Sequence, residues 1–192
     1  MKTKTKVLTL ALCAVLLVVA TVFTTVAFLT STDKVENAFT VGKVAIVLDE
    51  TDVDGSQTDV VHQGRDKKNE YKLIPGKYYT KDPIVYVGSE SEDCWIFVML
   101  ENGLENIIAD ESIEAQMAKN GWSLVDGTTN IYGRATASKA GDRVPVFEGF
   151  KISEDITDLS AYEGAKIIVT AYAVQKEGFN SAAAAWGDTF GK

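Results

Sequence analysis

Residues 7–29 carry no charged side chain and follow Lys2, Lys4 and Lys6, whereas the rest of the chain breaks its apolar runs every few residues with polar or glycine positions. A basic start, an apolar stretch and the small-residue exit Thr25-Val26-Ala27 form the pattern of a secretory signal peptide. Cleavage after Ala27 would make Phe28 the first residue of the mature protein. About 20 apolar residues also suffice to cross a bilayer, so an uncleaved membrane anchor is the rival reading. Thr9, Thr21, Thr24 and Thr25 inside the run weigh against it. The chain therefore divides into a signal peptide at 1–27, an N-terminal extension at 28–37 and one domain at 38–192.

Beyond the leader the period is that of strands. Residues 39–48, F-T-V-G-K-V-A-I-V-L, are β-branched and partly alternating, and predict a first long strand. A polar stretch over 50–65, with Asp54-Gly55, predicts a loop. A short strand at 71–74 is stopped by Pro75-Gly76, a type II turn pair. Residues 84–87 follow Pro83 directly, which marks an edge or a strand start. Residues 94–100 are apolar on both faces, Cys94, Ile96, Val98 and Leu100 on one and Trp95, Phe97 and Met99 on the other. Such a strand lies in the middle of a sandwich or at an interface. Further strands are expected at 122–125, 131–135, 144–152 and 166–174.

Two short helices interrupt this pattern. Asp110 is a plausible N-cap for the first, in which Ile113 and Met117 share a face, and Asn120-Gly121 supplies a left-handed exit. The second runs over 181–186, capped by Ser181 and ended by Gly187. About eight strands with frequent turns predict an all-β fold, an antiparallel β-sandwich with one or two short helices after the apolar signal helix.

Charge and cysteine content narrow the partners. The net charge is −8 over 192 residues, and loss of the three leader lysines makes it more negative still. Such a chain repels nucleic acid and anionic membrane. Cys13 leaves with the leader and Cys94 then stands alone, so no intrachain disulfide can form.

The inventory is poor for catalysis. His62 is the single histidine, which cannot build a multi-histidine zinc centre. A Ser-His-Asp triad would have to use this residue, read as an exposed loop histidine, and no Gly-x-Ser-x-Gly elbow accompanies it. Cys94, in the most apolar strand, reads as a buried hydrophobe and not as a nucleophile. Glu50, Asp52 and Asp54 before Gly55 resemble the opening of a calcium loop and form a weak calcium candidate. The closing bidentate Glu is missing, because Val61 stands in its place. Tyr78, Tyr79, Trp122, Tyr132 and Trp186 are candidates for a carbohydrate platform, with the core as the ordinary place for such residues. No cofactor is expected.

Several segments taken in order resemble one family. The leader runs into Phe28-Leu29-Thr30-Ser31-Thr32-Asp33 and then Asn37-Ala38-Phe39-Thr40-Val41-Gly42-Lys43-Val44. Later come Leu73-Ile74-Pro75-Gly76-Lys77, Pro145-Val146-Phe147, and Ala171-Tyr172-Ala173-Val174-Gln175-Lys176-Glu177-Gly178-Phe179, followed by Ala185-Trp186. Together they resemble the TasA/camelysin (CalY) group of exported Gram-positive proteins processed by a SipW-type signal peptidase. The resemblance implies a jelly roll that assembles into biofilm-matrix fibres or coats the cell surface, with an N-terminal strand of one subunit completing the sheet of the next. On that reading Phe28, Leu29, Thr30, Ser31 and Thr32 belong to the self-assembly segment. The partners are other copies of the chain, the signal peptidase, and other matrix proteins or polysaccharide. Camelysin-like members are classed as metallopeptidases, but one histidine cannot build the usual zinc site, so the resemblance carries a structural role and no enzymatic one. A secreted polysaccharide-binding module and a secreted hydrolase are the alternatives.

Overall fold

A computed structural model describes residues 3–29, 42–56 and 61–191, with side chains of the leader helix described through residue 18. The chain divides into two compact units, Met1–Thr40 and Val41–Lys192. In the first, α1 (Thr3–Leu29) takes in the whole charge-free run. Ala27, Phe28 and Leu29 fall in its last turn. Thr30, Ser31 and Thr32, with the extension up to residue 37, lie outside the described residues. Among the described residues no helix is long and apolar enough to cross a membrane.

The second unit is mostly antiparallel β-structure in three sheets. One holds β1 (Ile46–Thr51), β2 (Arg65–Asp66), β4 (Ile84–Val87) and β9 (Arg143–Pro145), in the order β2-β1-β4-β9. A small sheet is ordered β3-β10-β6, from β3 (Tyr78–Thr80), β10 (Gly149–Ile152) and β6 (Ile108–Ala109). The third is ordered β11-β5-β8-β7, from β11 (Ile167–Gln175), β5 (Cys94–Asn102), β8 (Ile131–Arg134) and β7 (Trp122–Leu124). Two helices accompany them, α2 (Ile113–Lys119) and α3 (Ala182–Phe190).

β5 organises the packing, as its two apolar faces predict. Cys94, Ile96, Val98 and Leu100 enter the main core with Val85 and Val87 of β4, Val144 of β9, Tyr79 of β3, Phe150 and Ile152 of β10, and Ile113 and Met117 of α2. Trp95 and Phe97 enter a second cluster on the opposite face, with Val125, Ile131, Val174 and Ala185 of α3. The main cluster thus joins all three sheets, and the second fastens α3.

Several expectations shift. Of the strand expected over 39–48, residues 39–41 lie outside the described residues and β1 begins at Ile46, because residues 42–45 hook onto the loop after β4: Glu92 N–H donates to Lys43 O and Gly88 N–H to Ala45 O. It also runs on through Glu50 and Thr51, which pair with Asp66 and Arg65, so the expected loop is strand at both ends. Residues 71–74 form no ladder among the described residues, although Tyr71 and Leu73 pack on the core. The turn at Pro75-Gly76 is present, with Gly76 at φ +74° and Lys77 N–H donating to Ile74 O. β4 begins after Pro83 but lies between β1 and β9, not at an edge.

The expected strand over 144–152 is two strands in different sheets. Pro145 brings no N–H to a ladder, Val146 N–H turns to Pro83 O, and buried Phe147 leads across to β10. Ser112, not Asp110, caps α2, its hydroxyl accepting from Ala115 N–H. Asp110 sits at φ +62°, outside the extended geometry an N-cap needs. Gly187 does not end α3, which continues to Phe190 because that ring packs on Trp186 one turn back, 4.7 Å between centroids. Gly191 follows as the cap.

Candidate functional site

Two features of the β unit depart from a closed, neutral sandwich. The first is β11. It pairs with β5 along its whole length, and among the described residues no strand pairs with its other edge. β1 comes close to it without a ladder. The side chains that β11 turns toward the main core, Ile167, Val169, Ala171 and Ala173, are only partly buried. So are Val44, Ile46 and Leu48 on the β1 side. Apolar side chains pointing inward yet left half covered mark a margin that one more element would close.

The ladder gives the phase of this edge. Lys176 N–H donates to Asp93 O, and Gly103 N–H to Lys166 O. Even-numbered residues of β11 therefore bond to β5, since antiparallel pairs alternate between bonded and non-bonded. The amides and carbonyls of Ile167, Val169, Ala171, Ala173 and Gln175 point the other way. These are the groups an added strand would engage.

The second feature is a buried charge cluster where β1, β2 and the start of β4 meet. The Asp49 carboxylate, wholly buried, accepts from Arg65 Nε at 2.6 Å and meets His62 Nδ1 at 2.5 Å. Arg65 also reaches Asp82 Oδ2 at 3.1 Å, Asp82 O at 2.8 Å and Asp49 O at 3.1 Å. Thr51 donates its amide and its hydroxyl to Asp82. Burial alone would lower the Arg65 pKa, but the hydrogen bonds to Asp49 and Asp82 outweigh it and raise it above its ordinary value. Burial likewise works to raise Asp82, yet the Thr51 and Arg65 bonds hold its carboxyl below the usual range.

His62 is thus half-buried and held on Asp49, its ring tilted against Tyr86 with centroids 4.0 Å apart, instead of standing free in a loop. Asp49–His62 is an oriented carboxylate–imidazole pair. The sequence gives no periodic sign of this cluster. Its one signal is Asp49-Glu50 at the end of an apolar strand, where two acids would be costly without partners.

The calcium candidates are drawn apart. Glu50 pairs with Lys81 Nζ at 2.7 Å and accepts from Asn69. Asp52 folds back to accept from the Asp54 and Gly55 amides. Asp54 accepts from the Ser56 and Glu70 amides, and hydrogen bonds from Ser56 and Glu70 lower its pKa. Among the described residues no group of three or more His, Cys, Asp or Glu side chains could hold a metal ion.

The aromatic candidates are dispersed as well. Tyr79 and Trp122 are core residues, with Tyr79 Oη bonded to Lys72 O and Trp122 Nε1 to Pro145 O. Trp186 packs among Phe97, Tyr172 and Phe190. Tyr132 is half-buried beside the main core, and Tyr78 alone is exposed. Cys94 is buried, and burial pushes its thiol up to about 11. That is the opposite of what a nucleophilic thiolate requires.

Compared with models of known protein families, with curated proteins and with solved structures, the chain matches none.

Proposed function

We propose that this chain is an exported structural subunit of an extracellular matrix or cell-surface fibre, a jelly-roll domain that assembles by strand exchange. A SipW-type peptidase would release it between Ala27 and Phe28. The mature N-terminal segment, from Phe28, Leu29, Thr30, Ser31 and Thr32 to residue 37, then adds to β11 of the next copy. One observation carries this reading: among the described residues no strand pairs with the β11 edge that presents the backbone groups of Ile167, Val169, Ala171, Ala173 and Gln175, above half-covered apolar side chains. A donor strand would satisfy the first and cover the second. Because donor and acceptor are different surfaces, the contact repeats head to tail and grows as a filament. The buried Cys94 thiol, and the separate partners of Glu50, Asp52 and Asp54, fit a scaffold role.

The test compares residues 28–192 with residues 38–192 by negative-stain microscopy and circular dichroism. Filaments from the longer form and folded monomers from the shorter one are expected. Ordinary filaments from residues 38–192 would refute strand exchange through this segment. N-terminal sequencing of the exported protein should read Phe28 first.

A further inference from the structure

A concavity of about 270 Å3 lies between α2 and the β3-β10-β6 sheet. Its exposed wall is Tyr78, 55% accessible, and the position of that ring is set by a missing side chain. Tyr78 faces Lys151 across the ladder and leans over Gly149, where a β-carbon would meet its hydroxyl oxygen and lie 2.7 Å from Cζ. Only glycine leaves room for the ring. The ring therefore lies across the strand at the pocket wall instead of swinging free.

The floor is fixed too. Gln116 of α2 donates to Gly149 O at 2.7 Å and accepts from Glu148 N–H at 3.0 Å. On the rim Asp110 holds a left-handed backbone, a cost that persists where the surroundings impose it and that concentrates at binding sites. Lys119 pairs with Glu111 at 2.6 Å and Lys151 with Asp110 at 3.7 Å. Among the described residues no ion pair engages Glu148. The rim thus offers acceptors and donors around one aromatic face, with an excess of negative charge.

We propose that this pocket binds one uncharged pyranose unit of a polysaccharide, stacked on Tyr78 with its hydroxyls bonded to Asp110, Glu111 and Glu148. The chemistry selects this class. An aromatic face takes the C–H side of a sugar ring, carboxylates accept from its hydroxyls, and the unpaired Glu148 repels acidic sugars. The volume lies just below the range of about 300–1,000 Å3 typical of larger ligands, which suits a single ring. Nothing in the site uses β11, so it stands or falls independently of the fibre reading.

The test uses the full-length protein in a mild detergent without sugar head groups. It is titrated with cellohexaose, chitohexaose and an oligogalacturonate, and followed by saturation-transfer NMR and calorimetry. Saturable binding of at least one neutral oligosaccharide in roughly the millimolar range or tighter is expected. Tyr78→Ala should weaken it about tenfold and Tyr78→Phe should preserve it, since stacking and not the hydroxyl carries the contact. Should the alanine variant lose its fold by circular dichroism, Tyr78→Leu covers Gly149 without an aromatic face and should weaken binding in the same way. Failure of both neutral sugars to bind, unchanged affinity in the variants, or preference for the galacturonate would overturn the proposal.

Discussion

Arg65 illustrates how a single side chain can decide a local fold. Its three guanidinium nitrogens join Asp49, Thr51 and Asp82, so it fastens β2 to β1 and to the residues before β4. Among the described residues Arg65→Ala would leave His62 as the one side-chain partner of the buried Asp49 charge, and breaking a buried pair costs about 3–5 kcal/mol. Urea titration should show that loss, and Arg65→Lys should recover little, because an ammonium cannot reproduce the fork. Asp82 adds a pH dependence whose sign is fixed. Its folded pKa lies below the ordinary 3.8, so its stabilising contribution is present above that value and disappears as pH falls through the folded one. Asp82→Asn should flatten the acid side of the stability curve measured by thermal melts. Cys94 gives a simpler reading. The full chain has two cysteines, Cys13 exposed and Cys94 buried, and native labelling with a thiol reagent should modify the first alone. Denaturation should expose the second.

At the scale of elements, β11 yields the sharpest expectation. Ala171 points its N–H away from β5, so Ala171→Pro removes no existing ladder bond and is tolerated at an edge. Strand addition at that edge would lose a donor and meet the ring. The variant should keep its β-rich circular dichroism and lose filament growth, whereas Thr170→Pro, which cuts a bond to β5, should unfold more readily in urea. What the sequence disclosed about these elements depended on whether the deciding interaction was local. β5 was legible because both faces are apolar within one run, and α2 because Ile113 and Met117 are four residues apart. The break between β9 and β10 was not. Pro145 announces a disturbance, but the destination of Phe147 depends on a sheet contributed by distant residues. The charge cluster was hidden for the same reason, since Asp49, Arg65 and Asp82 meet only after β1, β2 and β4 are in place. Of the weak calcium candidates, Glu50 is held by Lys81, thirty-one positions away, a partner that no local pattern announces.

For the whole molecule, net charge sets the conditions of association. On the fibre reading the assembling form lacks the three leader lysines and is more negative than the −8 of the full chain, so copies approaching end to end would repel one another over about 10 Å at 0.1 M salt and much farther when salt is low. Backbone pairing and apolar cover do not weaken with salt as ion pairs do. Raising ionic strength from low values to about 0.15 M should therefore shorten the lag of filament growth followed by light scattering; slower growth would place attractive charge pairs at the contact instead.

The long antiparallel ladder between β11 and β5 has a mechanical meaning as well. In a fibre joined along β11, tension would run parallel to the strands. The bonds of Ile168, Thr170, Tyr172 and Val174 to β5 would then be loaded together in shear and not opened one after another. Because β5 is buried on both faces, the pull is passed directly to the centre of the domain. A subunit gripped in this way should yield at higher force along the strand axis than across it.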